Sequence, residues 1–291
     1  MPECAAATVV GRNDRLPRSR CPARTHAGLY LKLYGHRDRQ TAILTRHLPS
    51  LLAGLGEKAQ WWFLRYHDPD DHLRLRVTVP GGSFAPAADW IGAWSRRLRQ
   101  AGLIARVQWD TYFPETARFG GRAAMGAAES YFAADSAAAL AELTACGRAG
   151  GPDMRALTAA SMLDIAIALA GDPAEAMSWV IEHASAGAPA PARLIYDQAV
   201  ALANPNDRRN LAAQPGGDQI ICCWARRQEA LTAYRIALEQ AGTTKATALL
   251  PDLLHLHQVR MAGTAPGDER MCLHLARATA LSWTARAKRR S

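Results

Sequence analysis

The stretch WWFLRYHDPDDHLRLRVTVPGG, Trp61 to Gly82, decides how the first part of this chain folds. Two apolar runs flank the segment HDPDD, in which Pro69 marks a turn. We therefore predict a hairpin of two strands, Trp61–Tyr66 and His72–Val79.

Two arginines lie one residue apart on the second of these strands. Because side chains alternate along a strand, Leu73 and Leu75 point to one face and Arg74 and Arg76 to the other. Two guanidinium groups on one face repel each other. The face is therefore either solvated and paired with acids on a neighbouring strand, or built to hold an anion. Guanidinium suits the second role, since it grips a carboxylate with two parallel hydrogen bonds.

The flanking sequence predicts the fold class. Leu29, Leu31 and Leu33 alternate with polar or aromatic residues in a strand over Thr25–Gly35. Helices are predicted over residues 43–52 and 87–103, and a further strand over 104–113. Beyond these, the chain shows successive alanine-rich helical runs at 120–143, 153–171, 174–185, 225–242, 246–263 and 268–287. Residues 186–217 form the longest irregular connection. The prediction is an α+β protein with an antiparallel or mixed sheet in the N-terminal half, followed by a largely helical C-terminal half.

Composition narrows the possibilities further. The 291 residues are 49% hydrophobic and 21% charged, which is a globular profile. Residues 1–24 are predicted to be a flexible basic arm and residues 25–291 a single domain. The N-terminus has no long apolar segment, and no apolar run reaches the length of a membrane span, so a cytoplasmic protein without a membrane partner is expected. The six cysteines lack paired metal spacing, and no metal site is expected.

The net charge of +9 makes an anionic partner plausible without requiring nucleic acid. No zinc finger, RNA-binding signature or glycine-rich phosphate loop occurs in the sequence.

Two further segments carry candidate chemistry. DTYFPETARFGG, Asp110 to Gly121, joins a strand to a helix and offers Glu115 and Arg118, which either pair with each other or belong to a site near the hairpin. LLHLHQVRMAG, near the C-terminus, contains His255, His257 and Arg260. The two histidines do not share a helical face, so they do not suggest a metal site.

These segments, in this order, resemble one family. WWFLRYHDPDDHLRLRV, DTYFPETARFGGRAAMGAAESYFAADS, and LLHLHQVRM followed by GDERMCLHLARATA resemble the C-terminal, glutamate-eliminating domain of class I lantibiotic dehydratases. Standalone proteins of this kind occur in thiopeptide biosynthesis. The resemblance runs from about Thr25 to about Leu281. It implies a lyase that removes glutamate from glutamylated Ser or Thr of a ribosomally made precursor peptide, leaving dehydroalanine or dehydrobutyrine.

The resemblance also implies site residues. The strand arginines of the family fall on Arg74 and Arg76, its loop residues on Glu115 and Arg118, and its late histidine on His255. Arg74, Arg76 and Arg118 are expected to bind the glutamyl anion or the enolate, and His255 is expected to transfer the proton.

Three residues, Glu115, Arg65 and Arg260, are expected to contribute to substrate binding. The family usually has Asn-Arg where this chain has Val259-Arg260, so the amide that the family places near the histidine is missing here. Neither a metal nor an organic cofactor is implied.

Partners follow from the same resemblance. The glutamyl ester would come from a separate glutamylating protein that uses glutamyl-tRNA, so direct tRNA binding by this chain is not expected. The chain is expected to be too short to contain that activity, and a homodimer is compatible with the family. Two other functions stay open. The fold is also used by thiopeptide pyridine synthases, which join two dehydroalanines in a formal 4+2 cycloaddition and expel the leader peptide. A non-catalytic scaffold that binds the precursor would use the basic surface alone.

Overall fold

The first half of the protein is built on a small antiparallel sheet. The computed structural model describes residues 26–184, 191–242 and 244–289, so the predicted arm of residues 1–24 lies outside the described residues. Four strands form one sheet in the order β2-β3-β1-β4. Their bounds are β1, His26–Tyr34; β2, Gln60–His67; β3, Asp71–Pro80; and β4, Arg106–Asp110. Every pairing is antiparallel, which confirms the predicted sheet and removes the mixed alternative.

The predicted hairpin is present. Trp61 to Tyr66 pair with His72 to Val77 in β2 and β3, and the tight turn between them contains a cis Asp68–Pro69 bond. The register places Arg74 between Lys32 and Leu64, and Arg76 between Tyr30 and Trp62. The sheet therefore sets aromatic and aliphatic residues beside the two arginines.

One face of the sheet forms the first hydrophobic core. Leu31, Leu73 and Leu75 are buried there, with at most 2% of their surface exposed, as the period-2 pattern predicts. They pack against three helices that cover this face: α1, Arg37–Ala42; α2, Leu48–Leu55; and α3, Phe84–Gln100. A π-helical turn, Ile43–His47, joins α1 to α2.

The rest of the chain is helical. The helices are α4, Gly121–Cys146; α5, Met154–Ala170; α6, Pro173–His183; α7, Arg193–Leu202; α8, Arg209–Ala212; α9, Gly217–Ala241; α10, Leu250–Ala262; and α11, Pro266–Lys288. Their apolar faces form a second core. Both halves of the predicted fold class are thus confirmed.

Two local predictions are wrong. Residues 186–217 are not one irregular connection, because they contain α7 and α8. The proline residues on either side of α7 conceal a 10-residue helix whose Ala199 and Leu202 are buried. The last predicted strand is shorter than residues 104–113, because β4 pairs with β1 only over Arg106–Asp110.

The two halves meet along β2. Helices α4 and α10 both pack on this strand, and Trp62 belongs to the helical core although it lies on the sheet. Residues from both halves therefore line the space between β2, β3 and α10. Within the described ranges, no helix is long and apolar enough to cross a membrane.

Candidate active site

A cavity of about 250 Å³ lies where the sheet meets the helices. Its walls come from β2, β3, the β4–α4 loop and α10. Six of the seven residues that the sequence singled out line it: Arg74, Arg76, Glu115, Arg118, His255 and Arg260. Aromatic residues form much of the remaining wall, namely Trp62, Tyr66, Tyr112, Phe119 and Phe132.

Arg74 is held by an aromatic ring and a histidine. Its guanidinium carbon lies 3.3 Å from the centroid of the Tyr66 ring, and its Nε donates to His72 Nε2 at 3.2 Å. The other ring nitrogen of His72, Nδ1, lies 2.8 Å from the carbonyl oxygen of Asp70. Burial lowers the pKa of His72, which favours the neutral imidazole that can accept from Arg74. The guanidinium is oriented while its terminal nitrogens stay unengaged by any described residue.

Arg76 lies deeper, between two tyrosines. Its guanidinium carbon is 4.7 Å from the centroid of the Tyr30 ring and 4.6 Å from that of Tyr112. Burial lowers the pKa of Arg76, and its buried Nε finds no acceptor in the described part of the chain. Arginine nevertheless stays charged at neutral pH. Burial also raises the pKa of Tyr112, so this phenol keeps its proton and is a hydrogen-bond donor.

The surroundings of Arg74 and Arg76 differ from those expected of a solvated face paired with acids. A solvated face would show acids on the neighbouring strands. The register neighbours are instead Tyr30, Lys32, Trp62 and Leu64, and neither arginine forms an ion pair within the described residues. Lys32 itself is paired with Asp110 at 2.5 Å. Two guanidinium groups without a carboxylate partner in an aromatic cavity have the chemistry to bind an anion.

Arg118 lies at the exposed rim and is already paired. It contacts Glu115 Oε2 at 3.1 Å through Nη1 and Asp252 Oδ1 at 2.6 Å through Nη2. Its Nε also donates to Asp252, at 3.0 Å, so all three guanidinium nitrogens are engaged. A tight turn supports this loop: Gly120 has φ +84°, and a Cβ there would lie 2.1 Å from Leu238 Cδ2.

His255 lies on α10 at the other wall of the cavity. Its Nδ1 is 2.9 Å from Glu269 Oε1, a residue of α11. The hydrogen bond to Glu269 raises the pKa of His255 above its usual value. When Nδ1–H donates to this carboxylate, Nε2 carries the lone pair and can accept a proton. The His255–Glu269 pair thus has the composition of an oriented base.

Arg260 is anchored in a buried ionic network behind the cavity. Its Nη1 donates to Asp135 Oδ2 at 2.8 Å and its Nε to Ser136 Oγ at 3.0 Å. Asp135 also contacts Arg227 and His257, each at 2.9 Å. All of these side chains are essentially inaccessible to solvent. Arg260 is therefore fixed and electrically compensated.

His257, two residues after His255 on α10, completes this network. Its Nδ1 faces Asp135 and its Nε2 lies 3.4 Å from Glu142 Oε2, so an imidazolium bridges two carboxylates. Burial alone would lower the pKa of His257, but the two carboxylates outweigh burial and raise it to about 9. His255 and His257 point to different surroundings, as helical spacing predicts.

Arg65 is the one predicted site residue that does not line this cavity. It is buried with 6% of its surface exposed, and its Nε donates to the carbonyl oxygen of Arg260 at 2.9 Å. Its Nη2 donates to Thr41 Oγ1 at 3.1 Å. The side chain thus supports the backbone of α10 and lines a separate, neighbouring cavity.

Several residues that contact the predicted site residues were not predicted from the sequence. Tyr66 and His72 flank Arg74 and lie in the quoted hairpin, where alternation could have placed them on the same face. Asp252 and Glu269 come from helices distant along the chain, and no local pattern marks them. Among the described residues there is no group of three or more potential metal ligands.

Comparison with known proteins identifies the family. The profile described as lantibiotic biosynthesis dehydratase C-term matches residues 29–281. This chain belongs to that family. The match confirms the resemblance found in the sequence and covers both halves of the fold.

Two curated members of related pathways align with part of the chain. The nisin biosynthesis protein NisB of Lactococcus lactis subsp. lactis is 34% identical over 130 residues, which is 44% of this chain and 12% of NisB. The subtilin biosynthesis protein SpaB of Bacillus subtilis is 28% identical over 110 residues, 37% of this chain and 11% of SpaB. The aligned segments therefore span only a small part of these relatives.

Solved structures extend the comparison. The crystal structure of the tRNA-dependent lantibiotic dehydratase MibB from Microbispora sp. 107891 matches with a TM-score of 0.78 and 26% identity, covering 97% of this chain and 29% of MibB. The pyridine synthase TbtD from thiomuracin biosynthesis matches with a TM-score of 0.61 and 16% identity, covering 88% of this chain and 98% of TbtD. At that identity the likeness to TbtD concerns the fold alone.

Proposed function

We propose that this member of the lantibiotic dehydratase C-terminal family eliminates glutamate from glutamylated Ser or Thr residues of a precursor peptide. The observation that carries the proposal is the pair Arg74 and Arg76, two guanidinium groups without carboxylate partners in one aromatic cavity. A glutamyl ester offers a free side-chain carboxylate and an ester carbonyl that gains negative charge. Such a ligand matches two fixed positive groups better than a neutral peptide does.

The reaction is a β-elimination. A base takes the proton from Cα of the esterified residue, and the electron pair of that bond forms the Cα–Cβ double bond. The Cβ–O bond breaks, and glutamate leaves as a carboxylate with both electrons of that bond. Ser gives dehydroalanine and Thr gives dehydrobutyrine. Negative charge develops first on the enolate oxygen of the peptide and then on the leaving carboxylate.

The cavity residues divide these tasks. Arg74 and Arg76 hold the glutamyl carboxylate or the enolate oxygen, and burial among tyrosines strengthens each contact because water is excluded. His255 accepts the proton, since Glu269 orients it and raises its pKa. Tyr112, which keeps its proton and is hydrogen-bonded to Glu129, packs its ring against the Arg76 guanidinium and helps to exclude water.

The remaining predicted residues support these groups. Arg118, engaged by Glu115 and Asp252, holds these two carboxylates at the rim and forms part of the mouth. Arg260, fixed and compensated by Asp135, shapes the inner wall. Arg65 maintains the position of the Arg260 backbone through its hydrogen bond to the carbonyl oxygen.

Partners follow from the chemistry proposed. The substrate is a ribosomally made precursor peptide, and a glutamylating protein that uses glutamyl-tRNA supplies the ester. MibB is named as tRNA-dependent, which supports such a source of glutamate in this family. We propose no tRNA contact for the chain described here.

The test uses a synthetic peptide with one O-glutamyl-serine, incubated with the protein alone and followed by mass spectrometry. Loss of one glutamate with formation of dehydroalanine is the expected result. A second peptide with two dehydroalanines tests cycloaddition: ring formation there, with the glutamyl peptide intact, would establish the pyridine synthase reading instead. Binding of either peptide without conversion would support the alternative of a non-catalytic scaffold.

A further inference from the structure

A second cavity, of about 450 Å³, lies beside the candidate active site. It is formed by α1, the end of β2 and the turn between α10 and α11. Tyr66 and Thr264 line both cavities, so these two side chains separate one from the other.

The second cavity contains a buried arginine without a counter-charge. Arg65 is 6% exposed, and its two hydrogen bonds go to neutral acceptors, the Arg260 carbonyl oxygen and Thr41 Oγ1. No carboxylate in the described ranges lies within ion-pair distance of it, and Nη1 has no hydrogen-bond partner there. Burying a charge without compensation is costly, so proteins rarely keep one that serves no ligand. Desolvation lowers the pKa of Arg65 to about 10.

The surroundings of Arg65 favour a ligand with both signs of charge. Helices α5 and α11, of 17 and 23 residues, both begin at this wall, at Met154 and next to Ala265. Asp153 already caps α5, whereas α11 has no side-chain cap among the described residues, and its N-terminus attracts negative charge. Three acids, Asp38, Asp71 and Asp268, line the same cavity, together with Arg37. A carboxylate beside Arg65 and an ammonium group near these acids would both be favourably placed.

We propose that this cavity is a second carboxylate-binding site, with Arg65 as the residue that binds the anion. The inference rests on the proposed elimination, which releases glutamate on the other side of Tyr66 and Thr264. Two sources supply the carboxylate: the released glutamate, or an acidic side chain of the bound peptide. The acids in the wall favour free glutamate, because it carries an ammonium group as well.

The test is calorimetric titration of L-glutamate into the full chain and three variants. Arg76→Met disables the active-site cavity, Arg65→Met removes the proposed anion ligand, and Ala265→Leu narrows the second cavity without touching Arg65. Arg99→Met, on the exposed side of α3, is the matched control. Glutamate binding is expected to persist in Arg76→Met and Arg99→Met, and to weaken at least tenfold in Arg65→Met and Ala265→Leu.

A peptide arm distinguishes the sources. Two peptides carry a glutamyl group in an amide linkage that cannot be eliminated, and differ by one Asp→Asn exchange next to it. If the acidic side chain occupies the cavity, the Asp peptide binds more tightly, and Arg65→Met and Ala265→Leu remove that difference. Glutamate and peptide affinities that are both indifferent to Arg65→Met and Ala265→Leu overturn the proposal.

Elimination is measured separately on the same proteins. If the protein eliminates glutamate but shows no Arg65-dependent binding, the proposed function stands and the second site is refuted. If the protein binds glutamate through Arg65 but eliminates nothing, the second site stands and the proposed function is refuted.

Discussion

Replacement of Arg76 by Met separates function from stability. Arg76→Met keeps a long unbranched side chain of similar shape between Tyr30 and Tyr112 and removes only the guanidinium. If this group stabilises the developing anion, the rate of elimination falls while the fold is retained.

The size of the rate effect follows from the role proposed. Removal of one preorganised donor to a developing oxyanion typically costs about 2.7–4 kcal/mol of transition-state stabilisation. Because each 1.36 kcal/mol is a factor of ten, kcat/KM should fall about 100- to 1000-fold.

Stability should change little or increase. The substitution removes two cation–π contacts, each worth about 2 kcal/mol in a desolvated site. The substitution also removes a desolvated charge that has no ion-pair partner among the described residues, and replaces it with an apolar side chain. These effects oppose each other, so the free energy of unfolding should stay within about 1 kcal/mol of the wild-type value or rise.

The assay follows dehydroalanine formation by mass spectrometry under single-turnover conditions, together with urea unfolding of each variant. Arg106→Met is the matched control, because the Arg106 guanidinium carbon also lies over a tyrosine, 3.9 Å from the Tyr34 centroid, but outside the cavity. The reasoning is refuted if Arg76→Met eliminates glutamate as fast as Arg106→Met, or if it loses several kcal/mol of stability.

Three further substitutions or conditions test the rest of the structure. Glu269→Gln removes the carboxylate that raises the pKa of His255. If His255 is the base, the pH at which the elimination rate rises should therefore move down, and an unchanged pH profile would exclude His255 as the base. His257 titrates with a pKa of about 9 in the folded protein against about 6.5 when unfolded, so its stabilisation is complete below pH 6.5 and is lost as the pH rises through 9. Urea unfolding between pH 6 and 10 measures that loss, which should be absent in His257→Gln. Gly120→Ala should cost about 1–3 kcal/mol because φ is +84°, whereas Gly126→Ala, with open space around it, should cost nothing or stabilise α4, and equal thermal midpoints would contradict this.

The sequence predicted those parts of the molecule that depend on local patterns. Alternation over Trp61–Gly82 is a local property, so the hairpin and the common face of Arg74 and Arg76 follow from it. Helical spacing likewise separates His255 from His257. The same reasoning failed at α7, because the prolines on either side led to the prediction of an irregular connection where a short helix is present.

Other features depend on contacts between distant segments. The buried ionic network joins residues of α4, α9 and α10, namely Asp135, Arg227 and His257. No spacing in the sequence predicts that these residues are in contact. The partners of Arg118 and His255, Asp252 and Glu269, are equally distant along the chain. Arg65 was predicted to join Arg74 and Arg76 in one site. Side-chain alternation along β2 instead places Arg65 on the opposite face from Tyr66, whose ring contacts Arg74.

The most direct test of the account is the affinity of the protein for a glutamyl peptide that cannot react. In this analogue, diaminopropionate replaces serine, so an amide nitrogen stands in for the ester oxygen and the glutamyl group stays attached. Calorimetry should show that Arg74→Met and Arg76→Met each weaken binding at least tenfold, while the unglutamylated peptide binds all three proteins alike. Equal affinity of wild type and both variants for the glutamyl analogue would contradict the claim that these two arginines hold the glutamyl group.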